Sequence, residues 1–136
     1  MSAGLLLMTH GDIGKAVLET ACDLVGSRSY RAHYMSVYPH DSPELLLSQA
    51  TALCHEVATD GNVLILTDIF GATPCNLATS LRLPEMNLRV VAGLNLPMMI
   101  RLLNYPDLDL DELVDKAVGG GSEGVLACAS QGVTSD

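Results

Sequence analysis

Short apolar runs alternate with longer amphipathic segments along the whole chain. The runs predict strands over residues 4–8, 32–38, 62–66 and 88–92. The first and third of these runs are apolar on both faces, which is typical of central strands in a parallel sheet. The intervening segments carry apolar residues at helical spacing and predict helices over residues 13–25, 43–58, 74–83, 96–103 and 110–118. This alternation indicates an α/β domain with a mainly parallel sheet.

Local signals mark where several of these helices begin and end. Ser42 and Pro43 suit the N-cap and the first helical position, and Gly26 suits a C-terminal stop. Asn95 precedes a Leu-Pro pair and suits a cap of the helix that follows. These signals support the helix boundaries that the apolar spacing predicts.

The C-terminal part of the chain contains a glycine run, a short apolar segment and a polar tail. Three glycines at 119–121 predict the end of that helix, and residues 124–129 predict a last short strand. We expect a single domain over residues 1–130, followed by a polar tail over residues 131–136. Right-handed crossovers favour a flavodoxin-like three-layer sandwich, in which the first and third strands are neighbours.

Composition and charge narrow the classes of function. The chain has 136 residues, 16 acidic against 7 basic side chains, and a formal charge of -9. Such a surface repels nucleic-acid phosphates and anionic membranes, so we expect neither as a partner. The longest apolar runs are well short of the ~18 residues that span a bilayer, and the N-terminal residues do not resemble a secretion signal. We therefore expect a cytoplasmic protein without membrane insertion.

The cysteines and histidines do not form a metal-binding pattern. The four cysteines are separated by more than twenty residues each, without a Cys-x-x-Cys pair. Buried, reduced thiols are the expected state in the cytoplasm. We predict no metal and no cofactor. A flavin is disfavoured because one Phe and no Trp leave few side chains to stack on its ring.

Two titratable residues follow strands that this fold places side by side. His10 lies just past the first predicted strand, and Asp68 lies just past the third. Neighbouring strands lie about 5 Å apart, so an imidazole and a carboxylate at adjacent strand ends are within hydrogen-bonding reach. Gly71 and Thr73 then lead into a helix start at Pro74, where free N–H groups bind anions. The residues predict a histidine nucleophile, oriented by an acid, beside a site for phosphoryl oxygens.

The chain resembles the mannose-type enzyme IIA domains of the bacterial phosphoenolpyruvate-dependent sugar phosphotransferase system (PTS). The resemblance rests on three segments in the family's order, LLLMTHGDIGKAVLETA, ILTDIFGATPCNLA and VVAGLNLPMMIRLL, and it covers essentially the whole chain. It implies a protein-histidine phosphotransferase component whose His10 accepts a phosphoryl group from the phosphocarrier HPr. The group would pass to a IIB protein in carbohydrate uptake. Asp68 would orient the ring, and Gly71, Ala72 and Thr73 would hold the phosphate.

The resemblance also implies a homodimer in which residues 124–129 are exchanged with the neighbouring subunit. It further implies that Asn95 borders the site. The usual loop reads Gly-Gly-Ser-Pro-Phe-Asn, whereas here Ala72 follows Gly71 and Cys75 replaces the aromatic residue. Since an alanine disfavours positive φ, we expect a slightly reshaped loop. We expect the replacement of the aromatic residue by Cys75 to change the surface that a partner would meet.

Each of these residues also has a plainer interpretation when taken alone, and for His10 the three-segment resemblance excludes it. His10 alone would suit a structural position at a strand end, Asp68 a turn cap, and Thr73 a helix N-cap. Two other functions are also consistent with a lone domain. One is a regulatory interaction module switched by phosphorylation, and the other is a small-ligand binder on the same scaffold.

Overall fold

Strands and helices alternate through the described part of the chain, residues 2–26 and 30–129 of a computed structural model. The strands are β1 (Gly4–His10), β2 (Ala32–Val37), β3 (Asn62–Thr67) and β4 (Asn87–Ala92). The helices are α1 (Ile13–Val25), α2 (Pro43–Val57), α3 (Thr73–Ser80), α4 (Leu96–Leu103) and α5 (Leu110–Glu123). Each predicted strand and helix up to residue 118 is present.

The four described strands form one parallel sheet in the order β2-β1-β3-β4. The first and third strands are therefore neighbours, as the flavodoxin-like topology requires. Helices α1, α4 and α5 cover one face through one apolar cluster, and α2 and α3 cover the other through a second. The predicted three-layer α/β sandwich is confirmed.

Strand β1 lies at the centre of both apolar clusters. Leu5 and Leu7 face the α1/α4/α5 layer, whereas Leu6 and Met8 face the α2/α3 layer. All four side chains are fully buried. Successive side chains of a strand point to opposite faces, so a strand between two helical layers must be apolar throughout. The same alternation places His10 on the α2/α3 side, in line with Leu6 and Met8.

The capping signals act as predicted. The hydroxyl of Ser42 accepts from the backbone N–H of Leu45, and Asn95 Oδ1 accepts from the N–H of Met98 at 2.9 Å. Gly26 adopts the left-handed conformation, with φ of 73°, directly after α1. Among the described residues, no helix has the length and apolarity needed to cross a membrane.

Helix α3 ends at Ser80 rather than at residue 83. Leu81 is extended, with φ of -61° and ψ of 136°. Leu83 precedes a proline, and a residue in that position disfavours helical backbone. The Arg82 guanidinium donates to the carbonyls of Thr79 and Leu81, which satisfies acceptors at the helix end.

Helix α5 does not end at the three glycines but continues through them to Glu123. Helix α4 packs against it at this point. A Cβ at Gly120 would lie 2.7 Å from Arg101 Cβ, and one at Gly121 would lie 3.0 Å from Met98 Cε. The glycines are thus contact positions that let two helices approach closely, and this packing outweighs their low helix propensity.

The strand predicted for residues 124–129 is not formed within the chain. Gly124 closes α5, and residues 125–129 are irregular, with Val125 and Leu126 77% and 78% exposed. A strand needs a neighbour for its backbone hydrogen bonds, and this segment pairs with none of the described strands. The predicted polar tail, residues 131–136, lies outside the described residues.

Candidate functional site

His10 and Asp68 meet at the carboxyl ends of β1 and β3. The ring Nδ1 of His10 lies 2.8 Å from Asp68 Oδ2. The backbone N–H of His10 donates to the same oxygen at 3.2 Å. One carboxylate oxygen therefore accepts from both the main chain and the ring of a single residue. The register that pairs Met8 with Thr67 brings the following residues of the two strands to this contact.

The contact fixes which ring nitrogen is free. An ionised carboxylate only accepts hydrogen bonds, so in the neutral ring Nδ1 carries the proton and Nε2 keeps its lone pair. Among the described residues, Nε2 of His10 has no hydrogen-bond partner. The His10 side chain is 48% exposed, whereas that of Asp68 is 11% exposed. The ring is thus half-exposed, whereas the acid that orients it is sheltered.

The second oxygen of Asp68 is buried without a partner among the described residues. The hydroxyl of Thr67, the preceding residue, is in the same condition. All hydrogen bonds that the carboxylate makes in the described structure therefore go to His10. The Asp68 carboxylate is therefore held by hydrogen bonds only on the side that faces His10.

The loop after Asp68 shows no backbone strain at Ala72, the cause from which we expected a slightly reshaped loop. Gly71 is the left-handed residue, with φ of 81°, whereas Ala72 is extended, with φ of -89°. The methyl group of Ala72 therefore causes no backbone strain. Ala72 is also the N-cap position of α3, so Thr73 is the first helical residue and not the cap. The amide of Asn76 donates to the Gly71 carbonyl at 3.1 Å and closes the loop.

His10 and Thr73 line one cleft of about 620 Å³. The turn after β2 forms one wall with Tyr38 and Asp41, and α3 forms the other with Thr73 and Asn76. Asp41 is the one carboxylate among the lining residues, and no described Lys or Arg side chain lines the cleft. The volume is in the range of sites that bind small molecules or receive a side chain of a partner.

Other predicted site residues lie elsewhere. Gly71 and Ala72 shape the loop but do not line the cleft. Asn95 caps α4, and its Nδ2 donates to the Gly121 carbonyl at 3.0 Å, so its contacts join α4 to α5. Cys75 is buried, 4% exposed, so it contributes little surface to a partner. Among the described residues, no group of three or more His, Cys, Asp or Glu side chains suits a metal.

The sequence interpretation missed Tyr38 and its contacts. The Tyr38 hydroxyl donates to Asp12 Oδ1 at 3.2 Å, and Asp41 Oδ2 accepts from the Tyr38 backbone N–H at 2.8 Å. These bonds hold the turn after β2 beside the turn after β1. The position of Tyr38 at the end of a predicted strand is a signal that would have placed it at the same sheet edge.

A second, apolar groove lies on the other side of Asp68. Ile69, Phe70, Val118 and part of β4 line it, and its volume is about 440 Å³. Phe70 is 84% exposed, the largest exposure among the large hydrophobic residues of the described chain. In that part of the chain, β4 pairs with β3 on one side and has an open edge on the other.

Comparison with known proteins finds relatives among components of the PTS. The family model described as "PTS system fructose IIA component" matches residues 4–118. The mannose-specific EIIAB component of the PTS from Escherichia coli (strain K12) is 32% identical over 135 residues, which is 98% of this chain and 42% of that protein. This chain therefore spans less than half the length of that relative.

Two further relatives are of about the same size as this chain. The fructose-specific EIIA component of the PTS from Bacillus subtilis (strain 168) is 23% identical over 92% of this chain and 86% of its own length. A solved structure, the mannose/sorbose specific IIA subunit from Enterococcus faecalis, superposes with a TM-score of 0.84 at 30% identity. That superposition covers 98% of this chain and 100% of the subunit.

Proposed function

Since this chain belongs to the IIA family of the sugar phosphotransferase system, we propose that it is a phosphoryl carrier that uses His10 as its phosphorylated residue. The hydrogen bond between His10 Nδ1 and Asp68 Oδ2 is the observation that supports this role. It leaves the half-exposed Nε2 as the nucleophile. HPr is the proposed donor, and a IIB protein in the cytoplasm is the proposed acceptor in carbohydrate uptake.

The proposed reaction is a displacement at phosphorus. The Nε2 lone pair of His10 forms a bond to the phosphorus, and the bond to the donor's nitrogen breaks, with its electron pair returning to the donor. The His10 ring gains positive charge as the new bond forms. The Asp68 carboxylate stabilises that charge through the Nδ1 proton, which stays on the ring. Transfer to the acceptor follows the same steps in reverse.

The phosphoryl oxygens need hydrogen-bond donors near Nε2. We assign this task first to the hydroxyl of Thr73, a residue that lines the cleft with His10. The backbone N–H groups of Gly71 and Ala72, in the loop that leads into α3, are proposed as further donors, although neither residue lines the cleft. A helix start carries unpaired N–H groups and partial positive charge. Positioning and charge stabilisation supply most of the catalysis in phosphoryl transfer.

The test is transfer of phosphate from phosphoenolpyruvate through enzyme I and HPr. Wild-type protein should acquire an acid-labile label, and His10→Gln should acquire none. His55→Gln is a matched control, because the His55 side chain is 53% exposed and lies at a surface pair with Glu85. Labelling of the His10→Gln protein at the wild-type level would contradict the assignment.

We also propose that the chain forms a homodimer by exchange of residues 124–129. Val125 and Leu126 are exposed apolar side chains on a segment without a strand partner, and β4 has an open edge beside the groove at Phe70. Pairing of the segment with that edge in a second copy would cover both surfaces.

Analytical ultracentrifugation tests the dimer. The wild type should sediment as a dimer at micromolar concentration, and Val125→Asp/Leu126→Asp as a monomer. Leu24→Asp is the control, because Leu24 is 64% exposed on α1 and lies outside the proposed interface. A wild-type monomer at that concentration, or a dimer that persists in the double variant, would refute the exchange.

A further inference from the structure

Two threonines are the fully buried polar residues of the described chain, and each directly precedes a residue of the proposed site. Thr9 precedes His10 and Thr67 precedes Asp68, and both are 0% exposed. Their hydroxyls differ in hydrogen bonding. Thr67 Oγ1 has no partner among the described residues, whereas Thr9 Oγ1 accepts from the backbone N–H of Gly14 at 2.7 Å. Only the threonine beside the histidine is thus fixed by a hydrogen bond.

The bond from Gly14 to Thr9 takes the place of a helix cap. Asp12 occupies the N-cap position of α1 but makes no side-chain capping bond. The Thr9 hydroxyl instead satisfies an N–H in the first turn of α1, from a position before the turn. Gly14 permits this approach, because a Cβ there would lie 3.1 Å from Thr9 Oγ1 and 3.3 Å from Leu7 Cβ.

The bond closes a short turn that contains His10. Within this turn Gly11 has φ of 49°, and its N–H donates to the Val37 carbonyl at 3.0 Å. The His10 backbone N–H must point at Asp68 Oδ2 for that oxygen to accept from both main chain and ring. Hydrogen bonds connect this turn to α1 on one side and to β2 on the other. The position of the turn therefore determines whether Asp68 Oδ2 can accept from both the backbone and the ring of His10.

We propose that Thr9 is a positioning residue for His10, whose buried hydroxyl holds the strand-to-helix turn so that Asp68 fixes the ring with Nε2 free. The inference rests on the proposed phosphoryl-carrier function. Thr9 does not contact the reacting atoms; it acts through the backbone of His10. The hydroxyl serves as an anchor between the end of β1 and the start of α1.

Thr9→Val is the informative change because it preserves shape and removes the acceptor. A methyl carbon cannot stay 2.7 Å from a backbone nitrogen, since carbon contacts lie at about 3.5 Å or more. The start of α1 must therefore move away, and the turn that contains His10 moves with it. The contact lengthens by about 0.8 Å, and when helix and turn share this distance the turn moves by roughly half an ångström. Since a misplacement of about 1 Å costs about 100-fold in rate, this shift predicts about tenfold slower labelling.

The experiment measures two properties of the full chain at a temperature where all variants are folded. Nitrogen-15 NMR reports the His10 tautomer, and transfer from phospho-HPr reports the labelling rate. We expect Thr9→Val to lower the fraction with the proton on Nδ1 and to slow labelling about tenfold. Thr9→Ser restores the hydroxyl and should recover both. Thr67→Val is the matched control, because its buried hydroxyl has no partner to lose.

A purely structural role for Thr9 predicts a different result. Thr9→Val would then lower the melting temperature and leave tautomer and labelling rate at wild-type values, which would overturn the inference. If Thr9→Val does not fold, Gly14→Ala applies the same displacement from the helix side and should change the tautomer in the same direction. Failure of the wild type to accept phosphate would refute the proposed function, whereas the tautomer measurement tests the role of Thr9 without any transfer.

Discussion

Replacing Asp68 with asparagine tests the geometry of the proposed site most directly. The change keeps the size of the side chain and removes its charge. Asp68 Oδ2 accepts from the His10 backbone N–H and from ring Nδ1, while Oδ1 is buried without a partner among the described residues. The amide can place its oxygen towards His10 and bury its NH₂ group unpaired, or it can turn over.

Both placements have a cost that can be estimated. A buried, unpaired donor costs about 1–3 kcal/mol, so the first placement lowers the free energy of unfolding. In the second placement an N–H faces Nδ1, which must then accept, and the proton moves to Nε2. Loss of a charge-assisted hydrogen bond costs about 1.5–3 kcal/mol. Because the His10 side chain is 48% exposed, screening by water favours the lower half of that range.

We therefore expect Asp68→Asn to slow phosphorylation of His10 by about 10- to 50-fold, since about 1.4 kcal/mol corresponds to a factor of ten. The assay is single-turnover transfer from phospho-HPr, with the tautomer measured by nitrogen-15 NMR. Asp41→Asn is the control for a general loss of negative charge, because Asp41 lines the same cleft and accepts from the Tyr38 backbone N–H rather than from His10. Wild-type labelling rate and tautomer in Asp68→Asn would refute the reasoning.

The remaining predictions concern other features of the molecule. Thr73→Val should slow labelling about tenfold and Thr73→Ser should recover it, since one hydrogen bond to an anionic group is removed; single-turnover labelling measures both. Gly120→Ala should lower the free energy of unfolding by about 1–3 kcal/mol in urea, because its Cβ would overlap Arg101; an increase in stability would show that α4 and α5 separate freely. Burial raises the pKa of the Cys54 thiol to about 11 from 9.0. Because the unfolded chain ionises this thiol first, its contribution to stability is complete below pH 9 and is lost as pH rises towards 11, which urea titrations at several pH values would show. Under native conditions a thiol reagent should leave buried Cys54 unreacted.

The strands and most helices could be predicted from the sequence because burial on two faces leaves an unambiguous pattern. Residues 5–8 are apolar without interruption, and all four are buried between helical layers. The order of the elements then places the ends of β1 and β3 together. The proximity of His10 and Asp68 follows from this topology, so the pair could be found without any knowledge of the side-chain geometry.

The errors arise where tertiary contacts outweigh local preference. A run of glycines normally ends a helix, but Gly120 and Gly121 lie against α4, where a larger residue would not fit. The expected effect of Ala72 on the loop rested on backbone strain, yet the positive φ of this loop falls on Gly71. The anchoring role of Thr9 depends on a hydrogen bond to Gly14 across a turn, and the sequence does not show which buried hydroxyl finds a donor.

The oxygen that accepts from both the backbone and the ring of His10 has a practical consequence. Two donors compete for the electron density of one acceptor, so a stronger pull by the ring weakens the bond to the amide. The amide resonance of residue 10 should therefore shift when a phosphoryl group is attached to the far side of the imidazole. An ordinary proton–nitrogen correlation spectrum would then follow the loading of the carrier in real time, without any probe on the side chain.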